Sequence, residues 1–426
     1  MAQVGFHLPA NKKKDKLQFE LINNLAIVPV EVNGKKLSFL LDTGVNFTLL
    51  FSLYESDSLT LKNAVPTKIR GLGDGGDIDA LKSINNVVKI GDAVDKDHKI
   101  YVIFDQKINF SPRMGVPVHG VIGYDFFKDM VAEIDYYSEQ LTMHNPYFYT
   151  PKKCRKCEEF NIGIVENKPY IRTKINALGK DYDVTMLMDT GASDALWLFD
   201  ENIGITETPK NYFNDFLGLG LSGAVNGKRS KLDKFTLGTF ELNQVNVSYP
   251  DSTALRNLES IGQRNGTIGS DIWKRFTMII NYRTKKVVLK KNGFFNKSFN
   301  YNMSGIVVEH RGMVPVKDVT TLPSEGISLV RNPGATSGVI INVNPFYTFF
   351  LAPKLVIAEV RNDSPAAMVD IRVGDELISL NGKEFYDLKL QEINAVFTSK
   401  EGRRITLVIE RNGIRMKKKF VLQKLL

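Results

Sequence analysis

The chain has 426 residues, 43% of them hydrophobic and 24% charged, with a formal net charge of +9. This is the composition of an ordinary soluble protein, and the length is sufficient for two or three domains, each with its own core. No run of about eighteen apolar residues occurs, so no membrane-spanning helix is predicted. The basic residues are dispersed, with short clusters only at 12–14 and 417–419, which favours a solvated surface over nucleic-acid binding.

The N-terminus does not identify a compartment. Residues 1–7 lack the basic and then apolar pattern of a signal peptide, but a mature N-terminus would look the same. Localisation therefore stays open, and a periplasmic or secreted location is favoured only if this N-terminus is a processed one.

The first predicted structure is a β-hairpin that leads into an acidic motif. Residues 17–50 alternate apolar and polar positions around Asn33-Gly34, a dipeptide typical of hairpin turns. The second strand runs directly into Asp42-Thr43-Gly44. A buried Asp at the end of an apolar strand costs free energy unless a site uses it. One such motif alone is a weak signal and more often marks a turn.

The same pattern returns in the second half of the chain. Met186 to Gly191 repeats the strand and the motif as Asp189-Thr190-Gly191, at an offset of 147 residues. At nearly the same offset, Gly71-Leu72-Gly73 matches Gly218-Leu219-Gly220, and residues 120–128 match 266–274. A constant offset over several motifs indicates an internal duplication, so two similar lobes are expected.

The glycine-rich stretches 71–76 and 218–223 both match the dinucleotide-binding pattern G-x-G-x-x-G. That pattern is informative only between a strand and a helix. Here the second copy is followed by Asn226-Gly227, another hairpin signal, and the first by an acidic segment. A mobile hairpin whose backbone approaches an extended substrate is favoured over a nucleotide site.

Each lobe is also predicted to contain a short helix followed by two strands. Residues 124–130 and 270–276 have aromatic inner faces and are predicted as helices, and residues 131–143 and 277–289 as strand pairs. We assign the aromatic side chains of both helices to core packing.

The two cysteines, Cys154 and Cys157, lie between the lobes. A redox motif would need a strand-to-helix setting, and a zinc site would need two more ligands, whereas the five histidines are scattered. A local disulfide or two free thiols is favoured. No metal and no cofactor is predicted.

The repeat ends near Asn292. Beyond it, residues 364–382 contain a helix and strand pattern, Leu388 to Phe397 is predicted as a helix, and Arg404 to Gln423 as a closing hairpin that turns at Asn412-Gly413.

These motifs carry a family resemblance. Paired Asp-Thr-Gly motifs, each followed about eighty residues later by an apolar-apolar-Gly motif that opens a short helix, resemble a single-chain aspartic protease of the retropepsin-like kind. The C-terminal quarter resembles a PDZ domain, so the chain as a whole resembles the bacterial aspartyl proteases that carry a PDZ domain. The resemblance covers nearly the whole chain.

The resemblance implies a mainly β fold with two similar retropepsin-like β-barrel lobes that form one pseudo-dimeric protease, followed by a PDZ domain. The expected domains are 1–150, 151–298 and 299–426. If residues 304–307 form the carboxylate-binding loop of the PDZ domain, rather than residues 349–351, then residues near 311–350 are an insertion.

The resemblance also assigns roles to residues. Asp42 and Asp189 would form a dyad in which one ionised acid takes a proton from water and one protonated acid polarises the scissile carbonyl, the pair holding a shared proton. Thr43 and Thr190 would hydrogen-bond across the lobes, and Gly44 and Gly191 would let the backbone pass close to the acids. The expected flap and cleft residues are Gly71, Leu72, Gly73, Gly218, Leu219, Gly220, Asn46 and Ser193.

Some positions depart from the family pattern. Neither lobe has a hydroxyl directly after the glycine, because Val45 and Ala192 stand there. The first flap is rich in Asp and the second in Lys and Arg, so an asymmetric cleft is expected.

The resemblance predicts an aspartic endopeptidase acting on peptide or protein substrates, with a PDZ domain that binds peptide segments. The chain should work as a monomer, because it supplies both halves of a site that retroviral enzymes assemble from two chains. The alternative is a peptide-binding protein with a decayed protease fold. The retained acids, threonines and glycines of both copies favour the enzyme.

Overall fold

The computed structural model describes residues 5–51, 59–71, 76–105, 108–151, 153–199, 203, 211–255, 264–323 and 343–426. None of the helices within these ranges is long and apolar enough to cross a membrane.

The first lobe is built almost wholly from strands. Its elements are β1 (Lys14–Gln18), β2 (Glu20–Ile22), β3 (Leu25–Val32), β4 (Lys35–Leu41), β5 (Thr48–Leu50), β6 (Val65–Ile69), β7 (Ile78–Ile90), β8 (Ala93–Ile103), α1 (Ser111–Met114), β9 (Gly120–Ile122), α2 (Tyr124–Phe127), β10 (Val131–Asp135) and β11 (Gln140–His144).

The second lobe repeats this series. Its elements are β12 (Cys157–Asn161), β13 (Gly163–Val165), β14 (Lys168–Ala177), β15 (Lys180–Met188), β16 (Leu196–Leu198), β17 (Phe213–Gly220), β18 (Gly223–Leu237), β19 (Phe240–Pro250), α3 (Ser252–Leu255), β20 (Gly266–Ile268), α4 (Ser270–Trp273), β21 (Phe276–Asn281) and β22 (Lys286–Lys291).

The duplication is visible in the strand order of the two lobes. The first lobe forms an eight-stranded sheet in the order β2-β3-β4-β9-β5-β8-β7-β6, and the second in the order β13-β14-β15-β20-β16-β19-β18-β17. Each strand therefore has a counterpart at the same place. The additional pairings β3–β7 and β14–β18 curl each sheet towards a barrel. The predicted mainly β fold with two similar lobes is confirmed.

A six-stranded sheet joins the lobes in the order β1-β11-β10-β21-β22-β12. At its centre β10 pairs with β21, with Ala132 opposite Ile280 and Ile134 opposite Met278. These four side chains are fully buried, so the junction between the lobes is part of the hydrophobic core. Because the packing is continuous, the two halves are held in one fixed relation.

The hairpins that precede the acidic motifs form as predicted. In the first lobe Asn33 and Gly34 both adopt positive φ between β3 and β4, the geometry that this dipeptide favours. In the second lobe Leu178 and Gly179 make the corresponding turn between β14 and β15. Cys154 and Cys157 form a disulfide, the first of the two alternatives for this pair.

The turn expected at Asn226-Gly227 is wrong. Both residues lie inside β18, where Asn226 pairs with Phe216 and Gly227 with Asp215. The hairpin turns instead at Leu221 and Ser222. A side chain at position 227 would overlap the carbonyl oxygen of Tyr249 on β19, so this glycine permits close strand approach rather than a turn.

The C-terminal region forms a separate sheet with its own core. Its elements are β23 (Ile306–Pro323), β24 (Val343–Val360), β25 (Glu376–Leu380), β26 (Lys383–Glu384), α5 (Leu390–Phe397), β27 (Arg404–Arg411) and β28 (Ile414–Val421). The order is β23-β24-β25-β27-β28, so β23 is an edge strand. The predicted helix and closing hairpin are confirmed. The strands β23 and β24 continue past the core as a long antiparallel hairpin that overlaps the expected insertion.

Candidate active site

Each acidic motif is positioned by a parallel strand of its own lobe. β4 runs parallel to β9, and the Asp42 N–H donates to the Ile122 carbonyl at 2.9 Å. β15 runs parallel to β20, and the Asp189 N–H donates to the Ile268 carbonyl at 3.0 Å. The apolar-apolar-Gly motifs therefore anchor the two Asp-Thr-Gly loops from behind.

The two threonines join the loops by reciprocal hydrogen bonds. The Thr43 N–H donates to Thr190 Oγ1 at 3.0 Å, and the Thr190 N–H donates to Thr43 Oγ1 at 3.1 Å. Each hydroxyl in turn donates across the interface, Thr43 to the Met188 carbonyl at 2.6 Å and Thr190 to the Leu41 carbonyl at 2.9 Å. Both residues are buried, so these four bonds are shielded from water.

The two motif glycines lie against the opposite carboxylates. A Cβ at Gly44 would lie 2.7 Å from Cγ of Asp189, and one at Gly191 would overlap the carboxylate of Asp42. No other residue fits either position without moving an acid. Each carboxylate therefore lies against the loop of the other lobe, and the two acids are close enough to interact electrostatically.

The electrostatics of this pair favour a shared proton. Burial first, and then the charge of Asp189 beside it, raise the pKa of Asp42 well above its ordinary value. The backbone around the two acids differs. Asp42 Oδ1 accepts one N–H, from Gly44 at 2.6 Å, whereas Asp189 Oδ1 accepts two, from Gly191 at 2.9 Å and Ala192 at 3.0 Å. Asp189 Oδ1 therefore has one more backbone amide donor than Asp42 Oδ1.

The two glycine-rich segments meet across the lobes. Gly218, Leu219 and Gly220 lie in β17, next to the Leu221-Ser222 turn. Ser222 Oγ accepts from the Gly71 N–H at 3.1 Å and donates to the Gly76 carbonyl at 3.3 Å. Leu221 packs against Gly71 and against the apolar cluster of the first lobe. Leu72 and Gly73 lie outside the described residues.

The remaining two cleft candidates flank the motifs differently. Asn46 is half-buried, two residues past Gly44. Ser193 is exposed, and its carbonyl accepts from the Asn24 side-chain amide of the first lobe at 2.8 Å. Ser193 thus has a contact between the lobes. Substrate contact by either residue stays a prediction.

Sequence reasoning missed two buried tyrosines near the dyad. Tyr136 follows β10 and Tyr282 follows β21, at equivalent places in the two lobes. The ring of Tyr282 packs on Phe127 of the first lobe with centroids 5.6 Å apart. Burial first, and then the nearby charge of Asp42, raise the pKa of Tyr282 well above its ordinary value, so this hydroxyl stays neutral. The sequence signal that could have identified these tyrosines is their repetition at an offset of 146 residues, close to that of the other repeated motifs.

A groove lies between the C-terminal domain and the first lobe, lined by His310 of β23 and Gln391 of α5 on one side and by Gly115 and Val116 on the other. The loop before β23 is held next to the end of this helix, since the Met303 N–H donates to the Phe397 carbonyl at 3.0 Å. The first lobe packs against the groove. The Gln391 side-chain amide donates to the Met114 carbonyl at 3.0 Å, and Arg113 pairs with Glu309 at 3.4 Å and Glu359 at 2.9 Å.

Comparison with protein families gives the class that this fold resembles. Residues 28–126 and 172–272 both match the aspartyl protease family, and residues 323–419 match the PDZ domain family. Each lobe is therefore similar to aspartyl proteases, and the region that follows them is similar to PDZ domains. The resemblance inferred from the sequence is confirmed at this level.

Two further findings concern solved structures and curated proteins. Among solved structures, the crystal structure of aspartic proteinase from Irpex lacteus is similar to this chain, with 14% sequence identity and a TM-score of 0.41, covering 67% of this chain and 100% of that one. No curated protein matches the chain.

Proposed function

We propose that the protein is an aspartic endopeptidase that hydrolyses peptide bonds by means of the Asp42–Asp189 dyad. The observation that carries the proposal is that each carboxylate lies against the glycine of the opposite loop at the lobe junction, where reciprocal threonine bonds hold both loops. In a decayed, non-catalytic site, nothing would require both copies of the loop to keep this arrangement.

The chemistry follows from the protonation of the pair. The ionised carboxylate, favoured on Asp189 by its two amide donors, takes a proton from a water molecule lying between the acids. The protonated carboxyl, favoured on buried Asp42, donates to the oxygen of the scissile carbonyl as the water attacks carbon. The tetrahedral intermediate collapses when Asp189 gives the proton it took from water to the amide nitrogen and the C–N bond breaks. A hydroxyl of the intermediate returns a proton to Asp42 as the new carboxyl group forms, which restores the singly protonated pair.

The flap segments supply the substrate position. Ser222 and Leu221 bridge the two lobes, and the extended strands β17 and β18 lie beside them. An extended peptide between these segments and the acids would be held by main-chain hydrogen bonds, in the same way as a peptide that adds a strand to the edge of a sheet. This mode places a backbone carbonyl, rather than a side chain, over the dyad.

The PDZ domain is proposed to bind peptide segments along the outer edge of β23, beside α5. Because Arg113 and Met114 contact this groove, a peptide must compete with the first lobe for part of it. Arg113→Ala should therefore tighten binding of PDZ-selected peptides to the whole chain, measured by fluorescence anisotropy. Unchanged affinity would mean that the first lobe does not obstruct the groove.

We further propose that the active form is a monomer, since one chain supplies both acids and both threonines. Sedimentation velocity across a dilution series should show a monomer with constant specific activity. Activity lost on dilution together with a dimer would contradict this.

The second candidate is a non-catalytic peptide-binding protein on the same fold. Both candidates are separated by incubating the protein with a peptide library between pH 3 and 8, about the range in which a carboxyl pair titrates, beside Asp42→Asn. New N-termini formed by the wild type and absent with the variant support the protease. Binding without cleavage at any pH supports the second candidate.

A further inference from the structure

The strand β17, which carries the proposed flap residues of the second lobe, has contacts with other parts of the molecule at both of its ends. It begins at Phe213, whose ring packs against the apolar core cluster of the C-terminal domain. It leads into the Leu221-Ser222 turn, where Ser222 Oγ accepts from the Gly71 N–H of the first lobe at 3.1 Å. One strand therefore connects the C-terminal domain to the tip of the flap.

Arg361 of the C-terminal domain lies against the start of β17. Its guanidinium is positioned over the ring of Phe213, 4.4 Å from the centroid, and its Nη1 faces Oδ1 of Asp215 at 4.0 Å. Phe213 also packs on the ring of Tyr301, with centroids 5.3 Å apart. The contact therefore combines aromatic packing, a cation–π interaction and an ion pair.

The buried guanidinium of Arg361 depends on these two side chains of β17. The Arg361 side chain is 5% exposed, and among the described residues its Nε and Nη2 make no hydrogen bond. Within its own domain Nη1 donates to the Asn302 carbonyl at 3.2 Å. Burial lowers the pKa of Arg361, and the charge of Asp215 is the strongest influence in the opposite direction. A buried cation with so few hydrogen bonds requires a nearby anion or aromatic ring, and β17 supplies both.

A second arginine contacts β17 from the first lobe. The guanidinium of Arg113 lies over the ring of Phe216, 4.4 Å from the centroid. The same side chain pairs with Glu309 on β23 at 3.4 Å and with Glu359 on β24 at 2.9 Å. The C-terminal domain thus contacts β17 directly at its start and, through Arg113, again at its middle.

We propose that Arg361 is a positioning residue for the protease reaction, because it fixes β17, and with it the flap turn at Leu221-Ser222, against the C-terminal domain. This rests on the proposed protease function and adds a role of the C-terminal domain in shaping the cleft, separate from the binding of peptide segments in its groove. Cleavage of a short peptide should therefore depend on Arg361.

Steady-state kinetics on the shortest peptide that the wild type cleaves test the proposal. Arg361→Gln removes the charge that faces Asp215 but keeps a donor for the Asn302 carbonyl. It should raise KM by roughly 3- to 30-fold, the scale of coupling through packed side chains, and leave kcat within about twofold, because the acids and the threonine bonds are not altered. Arg361→Lys keeps the charge and should recover most of the wild-type KM.

Arg415→Gln is the matched control. Arg415 is exposed on β28 of the same domain and pairs with Glu410 at 3.1 Å, so this variant also loses one positive charge but leaves β17 unaltered. Its KM should equal that of the wild type. If Arg361→Gln has a wild-type KM, or if both variants raise KM equally, the positioning role is overturned while the protease function stands.

Hydrogen exchange tests the same contact without catalysis. Amides of β17 that pair with β18 are compared in wild type and Arg361→Gln, with the hairpin β27–β28 as an internal standard. Faster exchange in residues 213–220 with unchanged exchange in residues 404–421 supports the positioning role even if no peptide is cleaved. Unchanged exchange in β17 overturns it. Faster exchange throughout residues 404–421 also overturns it, because Arg361 would then stabilise only its own domain.

Discussion

The two lobes share a strand order and an active-site loop, but the shells around the loops differ in chemical character. In the first lobe, Phe47 and Tyr101 stack with centroids 4.7 Å apart. At the equivalent positions of the second lobe stand Asp194 and Ser248, joined by a hydrogen bond of 3.0 Å. An aromatic contact in one copy is thus replaced by a polar one in the other.

The polar shell of the second lobe continues as a chain of ion pairs. Arg229 on β18 pairs with Asp194 at 2.9 Å and with Asp215 on β17 at 2.7 Å. Asp215 faces Arg361 of the PDZ domain at 4.0 Å, and the ring of Phe213 lies under the same guanidinium. The Asp-Thr-Gly loop of the second lobe is therefore connected to the C-terminal domain by charged side chains.

The duplication preserved the Asp-Thr-Gly loops but not the side chains around them. The acids, threonines and glycines have matching contacts in both copies because the two loops meet at one lobe junction. The side chains that surround these loops are aromatic in the first lobe and polar or charged in the second. Substitutions at matched positions can test where the symmetry ends.

The largest effect is expected at the dyad, where the lobes should behave alike in activity. Asp42→Asn and Asp189→Asn should each lower kcat/KM by about 10³-fold or more, because one removes the proton donor and the other the base. Initial rates on a cleaved peptide measure this. Either variant with near-normal activity would contradict the dyad.

The stability of the same variants should differ between the lobes. Between the ordinary carboxyl pKa of 3.8 and the raised pKa of Asp42, the folded protein holds a proton that the unfolded chain has lost. Stability therefore falls as pH rises through that window. Asp42→Asn removes this dependence and should raise Tm at pH 7 more than Asp189→Asn does, because Asp189 is less buried.

A second comparison uses the ion chain. Arg229→Met leaves Asp194 and Asp215 without their shared cation and should lower the free energy of unfolding by about 3–4 kcal/mol. Lys82 occupies the equivalent position of the first lobe and pairs with no carboxylate among the described residues, so Lys82→Met should cost less than about 0.5 kcal/mol. Denaturant unfolding measures both. Equal losses would show that the ion chain adds nothing to stability.

The threonine bonds should again show symmetry. Thr43→Val and Thr190→Val each leave a buried N–H and a buried carbonyl without a partner, so each should destabilise by about 2–3 kcal/mol. Thr43→Ser and Thr190→Ser keep the hydroxyl and should recover most of this loss. Thermal unfolding of the four variants measures these changes in stability. Valine variants as stable as the wild type would contradict the role of the hydroxyls.

The smallest effect concerns pH and the missing hydroxyls at positions 45 and 192. Since no side-chain donor stands there to favour the ionised acids, we expect maximal activity at roughly pH 4 to 6.5. Val45→Ser should move the acidic limb downward by about 0.4–1 pH unit, the equivalent of one hydrogen bond. Ala192→Ser should move it less, because Asp189 already accepts two amides.

Two outcomes would contradict the pH prediction. A wild-type profile that peaks near pH 2 would lie below the range that the missing donors imply. An active Val45→Ser protein with an unmoved acidic limb would show that a hydroxyl at this position does not reach the carboxylate.

Much of the site could be predicted because its signals are local and occur twice. The Asn33-Gly34 turn, the apolar strands that end in acids and the constant offset between motifs are all properties of neighbouring residues. They identify Asp42 and Asp189 as a pair without any knowledge of packing. The predicted turn at Asn226-Gly227 is wrong because the sequence does not distinguish a glycine that permits close approach to β19 from a glycine that makes a turn.

The two lobes, the acids and the threonines that join them could be predicted from the amino-acid sequence, because hairpin chemistry and internal repetition depend on short stretches of chain. The contacts of Ser222 with Gly71 and Gly76, and of Arg229 with Asp194 and Asp215, are visible only in the folded protein. Strand register and side-chain contact between distant segments arise from packing of the whole sheet, which no local pattern encodes.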